Sequence, residues 1–413
     1  MSATQPYIPR IGERGAERER YRSSRLVELK IWWREVDRVL LFLILTLMAI
    51  GTVAVAAASP ASARRLSTAE VTLPDLYFYW QHLRVQLVGI VVLLGVSMLA
   101  KDNARRLGVV VAGLMLGLLF LVPVIGFEVN GARRWIDLGF SFQPSEFLKP
   151  CFAVALAWIL SWRIREPNLP VVAVASAAMG LIAVLLMLQP NFGATILFAG
   201  VWFVLIMLAG VSLPRIGALI AAGVTLMTAT YFLYDNARYR IDAFLFGGTA
   251  YDQVDLAEKT LLAGGWTGTG MWLGTQKLRL PEAHTDYIFS VIGEEFGLVV
   301  CALIVVLYLA LIVRVLVRMA DEENLFTLLA ATGLATQIGG QAFINIMVNL
   351  QLFPSKGMTL PLISYGGSST IAMCLAAGLL LAITRRNPFL SRESAGLRAL
   401  LAQQLGKREG DRS

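Results

Sequence analysis

The sequence predicts an all-α polytopic membrane protein of about ten transmembrane helices, and three observations carry that prediction. Hydrophobic residues make up 57% of the 413 and charged residues only 15%. Mean hydropathy is +0.66. Apolar runs of membrane-spanning length recur along the chain with short polar breaks between them. Hydrocarbon offers no water to backbone amides, so each run is expected to be a helix that satisfies its own hydrogen bonds.

The first run, Leu40–Ala58, contains no charge. Val85–Ala100, Leu107–Phe127, Phe147–Leu160, Val171–Leu188, Ala194–Val211 and Ile216–Tyr234 follow. The eighth is Leu298–Val313, extended back to Tyr287, and Leu325–Val348 and Leu360–Ile383 complete the set. Phe147–Leu160 and Leu360–Ile383 are the weakest, being broken by polar residues or glycines. Two thirds of the 36 Lys and Arg residues fall on the side that carries both termini, so both termini are expected in the cytoplasm.

Three regions follow: a basic, disordered tail over 1–36, a membrane domain over 37–386, and a second cytoplasmic tail over 387–413. RGAERERYRSSR in the first tail is too polar for a signal peptide. The connections 59–84, 128–143, 235–285 and 351–360 face outward. The segment 235–285, between helices seven and eight, is the largest.

Several chemistries are excluded. No GxxxxGK[ST] loop is present, and the outer face holds no nucleoside triphosphate, so an ATP-driven pump and a nucleic-acid role do not fit. Cys151, Cys301 and Cys374 sit far apart within predicted spans and read as small apolar residues. His82 and His284 are the two histidines, with no H-x-x-x-H or C-x-x-C pair for zinc.

Ionisable groups at a membrane edge are costly, which makes the few present functional candidates. KLRLPEAHTDYIFSVIGEEFG, Lys277–Gly297, gathers several at the start of helix eight. Asp286 is either the N-cap of that helix, a task His284 or Thr285 can share, or a reactive carboxylate. Glu294 is about 80° round the helix from Asp286 and Glu295 about 180°, so at most one shares its face. The glycines of GGWTGTGMWLGTQK just before are read as a flexible, closely packed outer loop. GxGxxG alone is weak, and no strand is expected ahead of it.

Four further motifs have two readings each. In NGARRWIDLG, Arg133 and Arg134 either bind an anionic headgroup or anchor the interface beside Trp135. In the FSFQPSEFLKP that follows, Glu146 and Lys149 at i, i+3 either neutralise one another or serve substrate-linked gating. QPNFGATI, Gln189–Ile196, is a simple turn or a broken helix lining a cavity. SKGMTLPLISYGGSS supplies Lys356, Ser364 and Tyr365, as substrate donors or as small-residue packing.

These motifs, in this order, resemble the SEDS family of shape, elongation, division and sporulation proteins over about Asp37–Asn387. The Lys356-containing version is closer to its cell-division branch than to its elongation branch. The resemblance implies a ten-helix peptidoglycan glycosyltransferase polymerising lipid II on the outer face of the bacterial inner membrane, at the division septum. It implies that Asp286 is the essential acid. It also implies a class B penicillin-binding transpeptidase and further divisome proteins as partners.

The residues suit that chemistry. The acceptor 4-hydroxyl attacks the donor's anomeric carbon as undecaprenyl pyrophosphate leaves, and one carboxylate can take the proton. Arg133, Arg134 and Lys356 are candidate cations for the leaving group, with Mg²⁺ or Mn²⁺ on Asp286 as an alternative. His284 positions its neighbour. The rival functions are a lipid II flippase, for which Gln337, Gln341, Asn345 and Asn349 at i, i+4 would form a polar route, and a noncatalytic scaffold. Helix-helix hydrogen bonding is the simpler reading of that stripe. Against the family pattern, Asn191 replaces an Asp, Pro150 follows Lys149 inside a helix, Tyr287 replaces a Phe, and Gln351 stands where glycine is usual.

Overall fold

The apolar runs fold as helices at all ten expected places. They are α1 (Arg38–Leu66), α2 (Tyr77–Ser97), α3 (Lys101–Ile125), α4 (Pro144–Arg165), α5 (Val171–Leu188), α6 (Phe192–Leu208) and α7 (Leu213–Leu233). An extra helix, α8 (Thr249–Ala263), lies in the large outer connection and precedes α9 (Ile288–Met319), α10 (Leu325–Asn349) and α11 (Gly367–Thr384). The computed structural model describes residues 27–386 except 69, 130–131, 138, 140, 167, 234–237, 239–241, 243–248 and 355–356. Among those residues seven helices are long and apolar enough to cross a membrane: α1 to α5, α9 and α11.

Packing explains why these helices need one another. α11 is the central one, with 89% of its apolar window buried, and it packs against α2, α4 and α10. Close approach is possible where side chains are missing. A Cβ at Gly378 would meet Leu93 O at 2.8 Å, and one at Gly51 would meet Ile363 Cα at 2.7 Å, so Gly51 lets the segment before α11 lie directly on α1.

Four boundaries differ from expectation. α2 begins at Tyr77 rather than Val85, burying His82 and Gln86 in its first turns. α11 begins only at Gly367: residues 360–366 are irregular, with 360–364 buried, and are held through the Tyr308 hydroxyl, which donates to Pro361 O. The outer segment after α3 is a small antiparallel sheet, β1 (Phe127–Val129), β2 (Ala132–Asp137) and β3 (Ser141–Phe142). Part of the expected basic tail, 27–35, is helical, while residues 1–26 and 387–413 lie outside the described residues. The described residues 27–38 and 385–386 belong to one compact unit and 39–384 to another, and within the first Arg385 pairs with Glu35 at 2.6 Å.

The departures at Pro150, Asn191 and Gln351 all have local solutions. α4 runs through Pro150 without a break, at the cost of the one hydrogen bond a proline nitrogen cannot make. QPNFG is a turn in which Asn191 Oδ1 caps α6 by accepting from the Ala194 N–H at 3.4 Å. Gln351 closes α10 in a Schellman motif: the Leu352 N–H donates to Met347 O at 2.8 Å and the Gln351 N–H to Val348 O at 3.1 Å. Its φ of 60° is the left-handed conformation that favours glycine. Gln351→Gly should therefore raise stability by about 1 kcal/mol. A thermal melt in detergent checks this, and an unchanged or lower midpoint contradicts it.

Candidate functional site

The outer end of α9 is assembled from two segments that are not themselves regular helices. The first is Gly264–Tyr287 and the second is the stretch from Gly357 to Gly366. Each is held by polar groups that the sequence had spread along other helices.

Glu294 and Glu295 lie about two helical turns inside α9 and are each 1% exposed. Glu294 accepts the N–H of Gln276 at 2.7 Å and of Lys277 at 2.9 Å, one on each carboxylate oxygen. Glu295 accepts the Trp272 N–H at 2.8 Å and forms an ion pair with the buried Lys277 ammonium, which also donates to Ala57 O in α1 at 3.0 Å. Two residues further on, Gly297 adopts φ 85°, ψ 170° and breaks α9. The chain inserted at this break hydrogen-bonds it from both sides: Thr269 and Gly270 N–H donate to Glu294 and Glu295 O, and the Leu298 N–H donates to Gly265 O at 3.0 Å. A Cβ at Gly268 would lie 2.2 Å from Glu295 O, so glycine is required there by contact as well as by its φ of 81°. The loop is closely packed, as expected, and both glutamates hold it although they point in different directions.

Asp286 sits just before α9, whose N-terminal residue Tyr287 makes no capping bond with its side chain. Three consecutive carbonyls are held. His284 O accepts from the Tyr365 N–H at 3.0 Å, and Thr285 O from Ser364 Oγ at 2.6 Å. Asp286 O accepts from Asn345 Nδ2 at 2.7 Å and Asn349 Nδ2 at 3.2 Å. Asn345 Nδ2 also donates to Met358 O at 2.6 Å, stitching the two segments together. A Cβ at Gly357 would stand 3.4 Å from Asp286 Oδ2, so this glycine backs directly onto the carboxylate.

The His284 ring packs at a tilt against two aromatic rings. Its ring centroid lies 4.1 Å from Phe78 and 5.4 Å from Tyr365, and its Nδ1 has no partner. Burial pushes its pKa down to about 4 despite the Glu282 carboxylate nearby. His284 is therefore neutral near pH 7, suited to positioning rather than carrying the reaction's proton. Burial, with Tyr77 nearby, raises the Tyr365 phenol above its usual range. His82 completes the cluster, 6.3 Å from the Tyr365 ring, fully buried, with neither nitrogen partnered.

Glu146 and Lys149 form the ion pair that their spacing suggested, at 2.7 Å, and they reach the same site. Lys149 Nζ donates to Gln341 Oε1 at 3.1 Å, and Gln341 Nε2 donates to Thr359 O at 3.0 Å. Arg133 and Arg134 contact other elements. Arg133 pairs with Glu128 on the hairpin at 3.3 Å, and Arg134 donates to the carbonyls of Gln189 and Pro190 in the α5–α6 turn. Lys356 lies outside the described residues. Among the described residues there is no group of three His, Cys, Asp or Glu that could hold a metal ion. Phe78 and His82 were missed by the sequence reasoning, and the only signal for His82 was its being the other histidine. A cavity of about 510 Å³ opens beside the site between Pro60, Arg64, Asp75, Trp272 and Lys277.

A buried charge left without its partner is costly. Lys277→Met should lower stability by about 3–5 kcal/mol. Lys277→Met with Glu295→Leu should recover much of that loss, as read by thermal unfolding in detergent. A double variant no more stable than the single one would contradict the pairing.

The family described as cell cycle protein, covering FtsW, RodA and SpoVE, matches residues 37–388. Similar sequences include probable peptidoglycan glycosyltransferases FtsW. That of Caulobacter vibrioides is 34% identical over 87% of this chain and 92% of its own. That of Hahella chejuensis is 37% identical over 84% of this chain and 90% of its own. Among solved structures, one from a peptidoglycan synthase complex that coordinates polymerization and crosslinking has a TM-score of 0.69 at 28% identity, over 84% of this chain and 97% of that one. The Thermus thermophilus rod shape determining protein RodA has a TM-score of 0.63 at 27% identity, over 85% and 97%.

Proposed function

Because the chain belongs to the FtsW, RodA and SpoVE family of cell cycle proteins, we propose that it polymerises lipid II at the division septum with Asp286 as general base. It is a multi-pass membrane protein and a peptidoglycan glycosyltransferase. The ten-span topology with cytoplasmic termini, the septal site and the chemistry are this reading's own. The observation that carries it is the backbone anchoring of Asp286, held at three successive carbonyls where two outer segments meet.

The carboxylate takes the proton of the acceptor sugar's 4-hydroxyl as that oxygen attacks the donor's anomeric carbon. The C–O bond to pyrophosphate breaks as the new glycosidic bond forms, undecaprenyl pyrophosphate leaves, and a single displacement inverts the anomeric centre. We assign Lys356, which precedes Gly357 in the chain, to the leaving group's charge. Arg133 and Arg134 serve the same anionic lipid from the hairpin, or hold the hairpin in place. The class B transpeptidase expected as partner would cross-link the strand as it emerges, beside the other divisome proteins. The α10 stripe is engaged with the backbone of the site, which favours a seam over a transport route.

Purified protein with its transpeptidase partner and labelled lipid II tests the reading. Asp286→Asn and Asp286→Ala should lower polymerisation by about 10²-fold or more with an unchanged melting midpoint. Normal polymerisation by either variant would remove Asp286 as base. Headgroup translocation in liposomes without polymer would make the native protein a transporter instead.

A further inference from the structure

The start of α9 is capped from another helix. In an ordinary first turn, a side chain at the N-terminal position accepts the N–H three residues on. Here that N–H belongs to Ser290, and it is shared between Tyr287 O at 3.1 Å and Asn349 Oδ1 on α10 at 3.2 Å, while Ser290 Oγ donates to the same amide oxygen at 2.7 Å. The other half of the Asn349 amide donates to Asp286 O at 3.2 Å and to Asn345 O at 2.9 Å. One amide therefore stands between Asp286 O and the Ser290 N–H, two groups that would bond each other directly if the helix ran on through Asp286.

We propose that Asn349, steadied by Asn345, is a positioning residue that caps α9 from α10 and holds the backbone of Asp286 out of the helix. The role rests on the reading of Asp286 as base. The amide is 0% exposed for Asn349 and 2% for Asn345, so neither bond competes with water. Both asparagines leave α10 on the face that also carries Gln341, which reaches the second segment at Thr359. α10 thus sets the base and the wall opposite it with one row of amides.

The test compares the native protein with Asn349→Ala, Asn345→Ala and Ser290→Ala, each with the transpeptidase partner. Ser290→Ala keeps the backbone bond and guards against a variant that fails to fold. Two readouts are taken: amide hydrogen exchange over 286–292, and the pH profile of kcat for lipid II polymerisation. Asn349→Ala should speed exchange at Ser290 by about tenfold or more and lower kcat by about tenfold, with KM within about twofold. Displacing Asp286 from its anchored place should move the acid limb of kcat. Ser290→Ala should shift both readouts in the same direction by less. Native-like exchange in Asn349→Ala overturns the cap, and a loss of kcat without any movement of the pH profile overturns the positioning role. Asp286→Asn is measured alongside. If it polymerises, the base assignment fails by itself, and the exchange comparison alone decides the cap.

Discussion

Peptide carbonyls at the edge of a bilayer must find donors, because an unpaired one buried away from water costs about 1–3 kcal/mol. The non-helical approach to α9 presents three such carbonyls in succession, at His284, Thr285 and Asp286. The rest of the outer half is arranged to supply their donors. Ser364 and Tyr365 come from the irregular segment before α11, Asn345 and Asn349 from α10. That requirement explains why an apolar protein keeps asparagines inside a helix and why Leu360–Gly366 is not helical. Its hydroxyl and N–H groups are needed sideways.

A second constraint fixes the same element from the other end. Gly297 breaks α9, and the freed backbone is paired with the 264–270 segment instead. Glu294 and Glu295 turn the adjacent stretch toward α1 through backbone N–H groups and Lys277. Asp286 therefore lies between two anchored stretches, one gripped by carboxylates and one by amides. Such a residue can keep its geometry without a rigid helix around it.

The bundle was legible because hydropathy reports burial in lipid directly, and helices stand at every apolar run. Asp286, His284, Ser364 and Tyr365 were legible as a group from their motifs, and the structure brings those four together. What was not legible depended on contacts between distant segments. No local pattern says that Glu294 faces Gln276 and Lys277, or that Asn349 completes a turn 59 residues earlier. The helical-wheel positions of Glu294 and Glu295 relative to Asp286 could not show their use, because both side chains bind the 272–277 segment instead. His82 was invisible for the same reason: its ring neighbour Tyr365 comes from a distant part of the chain. Gln351 shows the converse, since an unexpected residue type left the glycine-like backbone conformation unchanged.

A structure of the protein with its transpeptidase, a non-hydrolysable lipid II analogue as donor and a short glycan acceptor measures the catalytic geometry most directly. An Asp286 carboxylate oxygen should lie about 2.6–3.2 Å from the acceptor 4-hydroxyl, with that hydroxyl facing the anomeric carbon. A 4-hydroxyl bonded to another side chain, with the Asp286 carboxylate directed away from both sugars, would contradict its role as base.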